Sequence, residues 1–401
     1  MKNNIKVSYV YNFLTYFHIT SAIWVLYLSF KGLNLVEIGI LEAIFHLASF
    51  LGEIPTGAIA DIYGKKVSVI LGRILSAIST ILMIVSNSFV GFAIAFILSA
   101  LSYNLNSGAS DSLIYDSLKL LGRENEYKKI FGSISFYTEI ARSAAVLLGG
   151  ILSDIRFIYA YILALIIDLS ALSSAYFFKE PPIEAGKCEE NIFIHQVKES
   201  FSILKKKKVV LYLILFYALI STMGTTVYFY CQKHFENMDF SRTAIAIIFT
   251  LNNLFSAISS KYAYYFENKL KMKKVIIILP ILNVLILGGL AVSIGYFSVL
   301  VFLLSSMLSG FTIPIFSDYI NSLIPSEYRV TILSFDSLCF SAFMLCAFPV
   351  VGLIGEKLGL SAAFGIIGLA FIPIIILIIF KLKNINKTIK GDENYDSISS
   401  K

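Results

Sequence analysis

Long apolar runs separated by short polar segments are the main pattern in this sequence. An α-helix that crosses a hydrocarbon core of about 30 Å needs about 20 mostly apolar residues, and each run has roughly that length. The pattern therefore predicts an all-α integral membrane protein with twelve transmembrane helices. They are predicted at residues 8–30, 35–60, 67–87, 90–115, 129–152, 157–178, 209–231, 242–264, 275–294, 298–322, 330–354 and 361–381.

A polar segment near the middle of the chain divides the apolar runs into two sets of six. It contains two adjacent prolines, an acidic stretch and a run of lysines, as expected of a cytoplasmic linker. The spacing of Gly108 and Asp116 in the first half returns in the second half at Gly310 and Asp318. This repeat predicts two pseudo-symmetric six-helix bundles. The predicted divisions are a first bundle at 1–178, a linker at 179–208, a second bundle at 209–382 and a cytoplasmic tail at 383–401.

The composition indicates the same class of protein. Hydrophobic residues make up 57% of the chain, charged residues 15%, and the mean hydropathy is +0.79. These values are far more apolar than those of a soluble domain. The net charge of +7 would suggest nucleic-acid binding in a soluble protein, but here the positive residues lie mainly between the apolar runs. We therefore expect the lipid bilayer, and not a nucleic acid, as the surrounding partner.

The loop lysines and arginines set the predicted orientation. With the N-terminus in the cytoplasm, most of the 33 Lys and Arg residues lie on the cytoplasmic side, as the positive-inside rule requires. Both termini are then cytoplasmic, and a multi-pass protein of the cell membrane is expected. The first apolar run is already span-length and lacks a small-residue cleavage site, so no cleavable signal is predicted. The Lys and Arg residues that are not on the predicted cytoplasmic side are Lys31, Arg156, Lys233, Arg242 and Lys357 outside, and Arg73, Arg142 and Lys261 within spans.

A short basic turn between the second and third apolar runs is the most distinctive motif. Gly57 and Gly64 permit close helix approach and a tight reversal, and Asp61 ends one helix near the positive N-terminus of another. Lys65 and Lys66 hold the turn in the cytoplasm. The segment is predicted to be a joint between helices.

This turn resembles the loop signature of the major facilitator superfamily, and the resemblance extends over residues 5–382. Within that superfamily the chain is similar to a bacterial drug-efflux-like branch whose second helix ends in Glu53-Ile54-Pro55-Thr56-Gly57. Other similar segments are Ser107-Gly108-Ala109, Tyr115-Asp116 and Arg329-Val330-Thr331-Ile332-Leu333-Ser334. The resemblance implies alternating access by rocking of two halves.

The same resemblance suggests an inner gate. In the family, the loop aspartate and an acid of the fourth helix belong to a charge cluster that closes the cytoplasmic side. By that resemblance the gate residues here are Asp61, Lys65, Asp116 and Arg329, together with the glycines and second lysine of the turn. The alternative is that these are solvated charges at helix ends.

The chain also departs from the drug antiporters of the family. Those proteins often carry an arginine in the fourth helix, and none occurs between Phe89 and Leu121. Gly149 and Gly150 keep the glycines of their fifth helix without the accompanying proline. The second-half copy of the loop, near residues 260–274, has lost its aspartate and both glycines. These departures weaken the expectation of proton antiport.

Ionisable residues inside the predicted spans are the candidates for transport chemistry, because they are costly in lipid. Glu42, His46 and Glu53 are spaced by four and then seven residues, which places them on one face of the second helix. A carboxyl group and an imidazole one turn apart are suited to sharing and passing a proton. The alternative is that the three side chains only link helices.

Other polar residues extend the candidate pathway. Glu139 and Arg142 are one turn apart in the fifth helix, where an ion pair is expected with or without a role in transport. Asp111 lies near the cytoplasmic end of the fourth helix. His18 in the first helix is either a packed, hydrogen-bonded histidine or part of the pathway. Asn252 and Asn253 in the eighth helix are expected to form interhelical hydrogen bonds or to touch the cargo.

These features favour a secondary carrier over other functions. The sequence has no metalloprotease motif, nucleophile elbow or nucleotide-binding glycine loop, so neither an enzyme nor a primary pump is predicted, and no cofactor or metal is expected. Aromatic residues make up 14% of the chain, which favours a lipophilic or amphipathic small-molecule cargo. The leading hypothesis is proton-coupled export by a monomer. Uptake or facilitated release of a metabolite is the alternative, and a membrane sensor or scaffold is a weaker one.

Overall fold

The computed structural model describes residues 1–182, 208–324 and 329–399, and every regular element in these ranges is helical. The helices of the first range are α1 Lys2–Thr15, α2 Trp24–Phe30, α3 Leu35–Tyr63, α4 Lys65–Val85, α5 Phe89–Asn106, α6 Ala109–Lys119, α7 Tyr127–Ile155 and α8 Phe157–Tyr176, with a 3₁₀ turn at Glu124–Glu126. Those of the later ranges are α9 Lys208–Glu236, α10 Arg242–Val292, α11 Tyr296–Leu323, α12 Arg329–Leu358 and α13 Leu360–Ser399.

Ten helices or helix segments in the described ranges are long and apolar enough to cross a membrane. They coincide with ten of the twelve predicted spans. The other two predictions fall on α1 with α2, which are both too short, and on α7, where the charges of Glu139 and Arg142 lower the hydropathy. The transmembrane character is therefore confirmed, whereas the count of twelve stays a prediction.

The predicted first span is not one helix. Between α1 and α2 the backbone turns, and the amide of His18 donates to the carbonyl of Tyr16 at 2.9 Å instead of to a carbonyl four residues back. No proline or glycine marks this break in the sequence. Helix α7 packs closely against this break, since a Cβ on Gly149 would overlap the carbonyl oxygen of Ile19.

Two other predicted boundaries also differ. The predicted fourth span is divided between α5 and α6 at Gly108, whose φ of +74° is a left-handed conformation that glycine adopts readily. Conversely, the predicted spans at 242–264 and 275–294 belong to one continuous helix, α10. The polar stretch between them has no glycine and no proline, so nothing in its sequence ends the helix.

The described residues form two compact units. Unit 1 comprises Met1–Glu190 with Phe235–Thr250, and unit 2 comprises Asn191–His234 with Leu251–Lys401. Most of the predicted linker, at 183–207, lies outside the described residues, as does Cys188. The other three cysteines, Cys231, Cys339 and Cys346, are free thiols.

Unit 1 is built around α4, which packs against α3, α5, α6 and α8. Two hydroxyl side chains of α4, Ser68 and Ser79, each donate a 2.7 Å hydrogen bond to a backbone carbonyl of α5. Small side chains of this kind let helices approach closely where the surroundings are apolar. On the other side of the unit, α1 packs against α6, α7 and α8.

Unit 2 has a separate apolar core. The hydroxyl of Tyr230 on α9 donates to the carbonyl of Phe348 on α12 at 2.9 Å, and the two rings stack with centroids 4.9 Å apart. His234 Nε2 on α9 lies 3.1 Å from Ser298 Oγ on α11. The larger buried core residues include Leu213, Phe216, Leu279, Ile315, Phe316, Ile320 and Ile375.

Candidate functional site

The helix α3 carries a buried acid–histidine pair. Asn34 begins this helix with a capping box, in which its side chain and that of Glu37 each accept from the other's backbone amide. Further along α3, Glu42 and His46 are one helical turn apart. Glu42 Oε1 lies 3.7 Å from His46 Nε2, and both residues are 9% exposed. The structure thus brings together the two groups that the sequence spacing selected.

Glu53, the third predicted member of that face, lies apart from the pair. It is half-buried and seven residues beyond His46, which is about 10 Å along a helix. Near it, Thr56 donates a 2.7 Å hydrogen bond to the carbonyl of Gly52, and Gly52 leaves no room for a Cβ against Leu101 of α5. This end of α3 is a close helix contact, so the structure does not join Glu53 to the buried pair.

A second polar cluster surrounds Tyr16, in the break between α1 and α2. The guanidinium carbon of Arg142 lies 5.4 Å from the centre of the Tyr16 ring, and the ring of His18 meets Tyr16 edge to face at 6.2 Å. Arg142 Nη1 and Glu139 Oε1 are 3.7 Å apart, which is beyond hydrogen-bonding distance. The predicted ion pair is therefore loose. Asp111 is exposed and acts electrostatically on Tyr16 from α6.

Aromatic rings lie next to the acid–histidine pair. Phe45, next to the buried pair on α3, has its ring 5.5 Å from the ring of His46 and 6.5 Å from that of Tyr103 on α5. Aromatic side chains of α3 and α5 thus lie next to the acid–histidine pair within unit 1. The sequence did not single out Phe45, Tyr103 or Tyr16 as site residues.

The two asparagines predicted in the second half differ from each other. Asn252 is buried and donates a 3.2 Å hydrogen bond to the carbonyl of Phe302, which links α10 to α11. Asn253 is half-buried. The interhelical role predicted for Asn252 is therefore observed.

The basic turn between α3 and α4 is tied to other parts of unit 1. Gly64 forms it with a φ of +99°. Lys65 Nζ pairs with the carboxylate of Asp116 on α6, and Lys66 Nζ donates to the carbonyl of Tyr176 at 2.9 Å. Glu180, which follows α8, accepts from the backbone amides of both lysines, at 2.9 and 2.7 Å. Of the predicted gate residues, Lys65 and Asp116 thus meet, whereas Lys66 is bonded to the end of α8.

The other predicted gate residues are not joined to this contact. Asp61 is exposed and makes no hydrogen bond or ion pair within the described part of the chain. Gly57 is exposed too, and a Cβ there would meet no described atom within 4 Å, so the predicted close approach is not seen at this glycine. Arg329 begins α12, but its side chain lies outside the description.

Sequence reasoning missed a partly buried polar ladder between α4 and α8. Asp168 on α8 accepts 2.7 Å hydrogen bonds from the hydroxyls of Ser76 and Thr80, and Arg73 Nη1 lies 3.8 Å from its carboxylate. Arg73 was recognised only as a positive residue within a span. The sequence offered one signal for this contact, because its acidic partner Asp168 lies within the apolar run of the sixth predicted span.

A further missed contact joins the end of α7 to the start of α10. Asp154 accepts from the backbone amides of Arg242 and Thr243, at 2.9 and 2.8 Å. Arg242 donates to the carbonyl of Ser153, and its guanidinium carbon lies 3.9 Å from the ring centre of Phe157. These residues are far apart in sequence. Among the described residues, no cluster of His, Cys, Asp and Glu has the arrangement of a metal site.

The sequence matches the family model of the Major Facilitator Superfamily over residues 7–335 and 235–397, and the chain belongs to this family. It is therefore a multi-pass membrane transporter of small molecules, not an enzyme. One relative is the uncharacterized MFS-type transporter YxaM of Bacillus subtilis, 25% identical over 395 residues, which cover 91% of this chain and 93% of YxaM. Another is the uncharacterized MFS-type transporter MJ1560 of Methanocaldococcus jannaschii, 26% identical over 206 residues, half of this chain (50%) and 52% of that protein.

Solved structures of transporters share the fold. The nucleoside transporter NupG superposes with a TM-score of 0.78 at 13% identity, covering 96% of this chain and 98% of NupG. A D-xylose-proton symporter gives a TM-score of 0.68 at 13% identity, covering 91% of this chain and 95% of the symporter. These likenesses confirm the predicted MFS fold.

Proposed function

We propose that this transporter exports a lipophilic or amphipathic small molecule in exchange for protons, by alternating access. The observation that carries the proposal is the Glu42–His46 pair, which is buried in a helix long and apolar enough to span the membrane. An ionisable pair at such a position is costly, and in membrane proteins it marks a proton or substrate pathway by default.

The arrangement of the pair suits proton exchange. A carboxylate in an apolar interior is strongly disfavoured as an isolated charge, so Glu42 gains from binding a proton or from a protonated neighbour. His46 supplies that neighbour one helical turn away, at 3.7 Å. A small movement of α3 that admits water to either residue would let the pair load or release a proton. We assign the proton-coupling step to this pair.

The surroundings support an amphipathic cargo. Phe45 and Tyr103 place aromatic rings beside the pair, and Tyr16 is a further aromatic ring in the exposed polar cluster. A sugar would need many convergent donors and acceptors, whereas a lipophilic molecule needs apolar and aromatic walls with a few polar groups. We place Glu139, Arg142, His18 and Asp111 on the cargo pathway for this reason.

Alternating access also needs a contact that opens and closes on the cytoplasmic side. The pairing of Lys65 with Asp116, together with the backbone hydrogen bonds that Glu180 accepts, stabilises the turn at Gly64 in the observed state. Transport would require this contact to form and break in each cycle. Asp61 and Arg329 complete the proposed gate on the family resemblance.

A cell assay tests the proposal. A bacterial host that lacks its own efflux pumps is loaded with ethidium, a lipophilic cation, or with 8-anilino-1-naphthalenesulfonate, a lipophilic anion. Cells that make the protein are expected to retain less of at least one dye, and an uncoupler should abolish the difference. Glu42→Gln should behave like the uncoupler, at unchanged amounts of protein in the membrane.

The outcomes separate export from its main alternative. Higher retention than in cells without the protein would indicate uptake. If the uncoupler changes the retention of neither dye, the result would contradict proton-driven export and favour a facilitated metabolite carrier.

A further inference from the structure

The cluster at Tyr16 contains a positive group whose hydrogen-bonding capacity is not used. Arg142 Nε is buried and has no acceptor among the described residues. The Nη1 atom of the same guanidinium approaches Glu139 only to 3.7 Å. A buried N–H without an acceptor is unfavourable, and an arginine offers five donors in a fixed plane. The described residues therefore leave a donor of Arg142 without an acceptor, and a bound ligand can supply one.

The contact of Arg142 with Tyr16 leaves the donors of the guanidinium available. The guanidinium lies over the Tyr16 ring, 5.4 Å from its centre, and the side chain is 41% exposed. Such a cation–π contact orients the plane of the guanidinium without using its N–H groups. His18 stands edge-on to the same ring and is also exposed.

A second arginine adds positive potential at the same place. Arg73 and Arg142 both act electrostatically on His18. Arg73 is 6% exposed, and its Nε also has no acceptor within the described part of the chain. Its nearest carboxylate, Asp168, is held by two hydroxyl hydrogen bonds and stays 3.8 Å from Arg73. The positive charge is thus only loosely matched.

The acidic groups nearby do not accept hydrogen bonds from Arg142 within the described part of the chain. Glu139 is 60% exposed and can turn toward water, and Asp111 is exposed on α6. Neither carboxylate reaches hydrogen-bonding distance of Arg142 among the described contacts. An incoming anion would replace the loose Glu139 contact with direct charge-assisted hydrogen bonds.

We infer that the cargo carries an anionic oxygen group, such as a carboxylate, sulfonate or phosphate, which Arg142 binds through Nε and a terminal nitrogen. Tyr16 orients the guanidinium, and Arg73 adds to the surrounding positive potential. This inference rests on the proposed function, since it names the charge of the amphipathic cargo.

Binding without any pH gradient tests the inference separately from proton coupling. The full-length protein in lipid nanodiscs is titrated by calorimetry with 1-naphthalenesulfonate, with the neutral 1-naphthalenesulfonamide and with 1-naphthylmethylammonium. The three share one aromatic body and differ in charge. Empty nanodiscs correct for partition into lipid. The wild-type protein is expected to bind the sulfonate at least about tenfold more tightly than the other two.

Three variants identify the residue responsible. Arg142→Gln should remove the preference for the sulfonate, and Arg142→Lys should keep part of it, because the charge remains without the planar fork. Glu139→Gln should bind the sulfonate at least as tightly as the wild type, since it removes the competing carboxylate. Arg123→Gln, in an exposed pair with Glu126, is the matched control and should bind like the wild type.

The result that overturns the inference is also clear. Equal or tighter binding of the ammonium compound by the wild type, no binding of the sulfonate, or an unchanged preference in Arg142→Gln would each contradict it. The Glu139→Gln result keeps the test decisive if Arg142→Gln fails to fold, because weaker sulfonate binding in that variant also contradicts the inference. Proton-driven export could still hold in each of these cases.

Discussion

The carboxylate of Glu180 accepts the backbone N–H of Lys65 at 2.9 Å, and its other oxygen accepts the next backbone N–H at 2.7 Å. These amides belong to the first turn of α4, which has no side-chain cap from its own N-cap residue, Gly64. The negative charge also meets the positive end of the helix. A residue from beyond α8 therefore performs the capping that the turn cannot.

Glu180→Ala should destabilise the protein by about 1 to 2 kcal/mol, because two amides lose their acceptor and the helix end loses a favourable charge. The measurement is the midpoint of thermal unfolding in detergent. Glu124→Ala, which removes an exposed acid in the 3₁₀ turn, serves as the control and should change little. Equal shifts for the two variants would show that the contact with α4 does not contribute.

The pairing of Lys65 with Asp116 makes a second prediction. Each side chain is about one-third exposed, at 30% and 31%, so the pair should add at most about 1 kcal/mol to stability. Its larger effect should be on transport. Lys65→Asp and Asp116→Lys are each expected to reduce dye export strongly, and the double variant with exchanged charges should recover part of it. A double variant as inactive as the worse single variant would argue against a gate role for the pair.

A glycine contact between α7 and α10 gives a prediction with a control on the same helix. A Cβ on Gly150 would overlap that of Ala246 and lie 2.9 Å from the carbonyl oxygen of Arg242. Gly150→Ala should therefore cost about 1–3 kcal/mol through overpacking. Gly132→Ala, where a Cβ meets no described atom within 4 Å, should be neutral or stabilise by about 0.5–1 kcal/mol. Matching thermal shifts for the two variants would mean that this contact is absent in the membrane.

The predicted orientation can be tested by labelling. In a chain whose native cysteines are replaced by serine, Lys233→Cys should react with a membrane-impermeant maleimide added outside the cell. Gln196→Cys, in the predicted linker, should react only after the membrane is opened. The physical reason is the positive-inside distribution of lysine and arginine. The reverse labelling pattern would reject the predicted topology.

Hydropathy and local spacing predicted much of this structure. Apolar length located most of the spans, and the separation of four residues was enough to bring Glu42 and His46 together on α3. Gly64 was selected as a turn residue, and it has a positive φ. These features depend on short segments of the chain, where periodicity and backbone sterics act directly.

The features that sequence reasoning missed depend on contacts between distant segments. Asp168 meets Arg73 only after α8 packs on α4. Glu180, which follows α8 in the sequence, contacts Lys65 at the start of α4. The break near His18 contains neither glycine nor proline, so its sequence gives no local signal. Tertiary packing decides these positions, and a single sequence does not report it.

The most direct test of the proposed coupling is a comparison of uphill transport and exchange in vesicles. Glu42 is buried beside His46, whereas Glu53 is half-buried and two turns away. Purified wild-type protein, Glu42→Gln and Glu53→Gln are reconstituted, and uptake of the dye that the cells extrude is followed under an acidic-interior pH gradient and, separately, in counterflow without a gradient. We predict that Glu42→Gln loses uphill uptake but keeps counterflow, while Glu53→Gln retains more of its uphill uptake. Full uphill uptake by Glu42→Gln would contradict proton coupling through the Glu42–His46 pair.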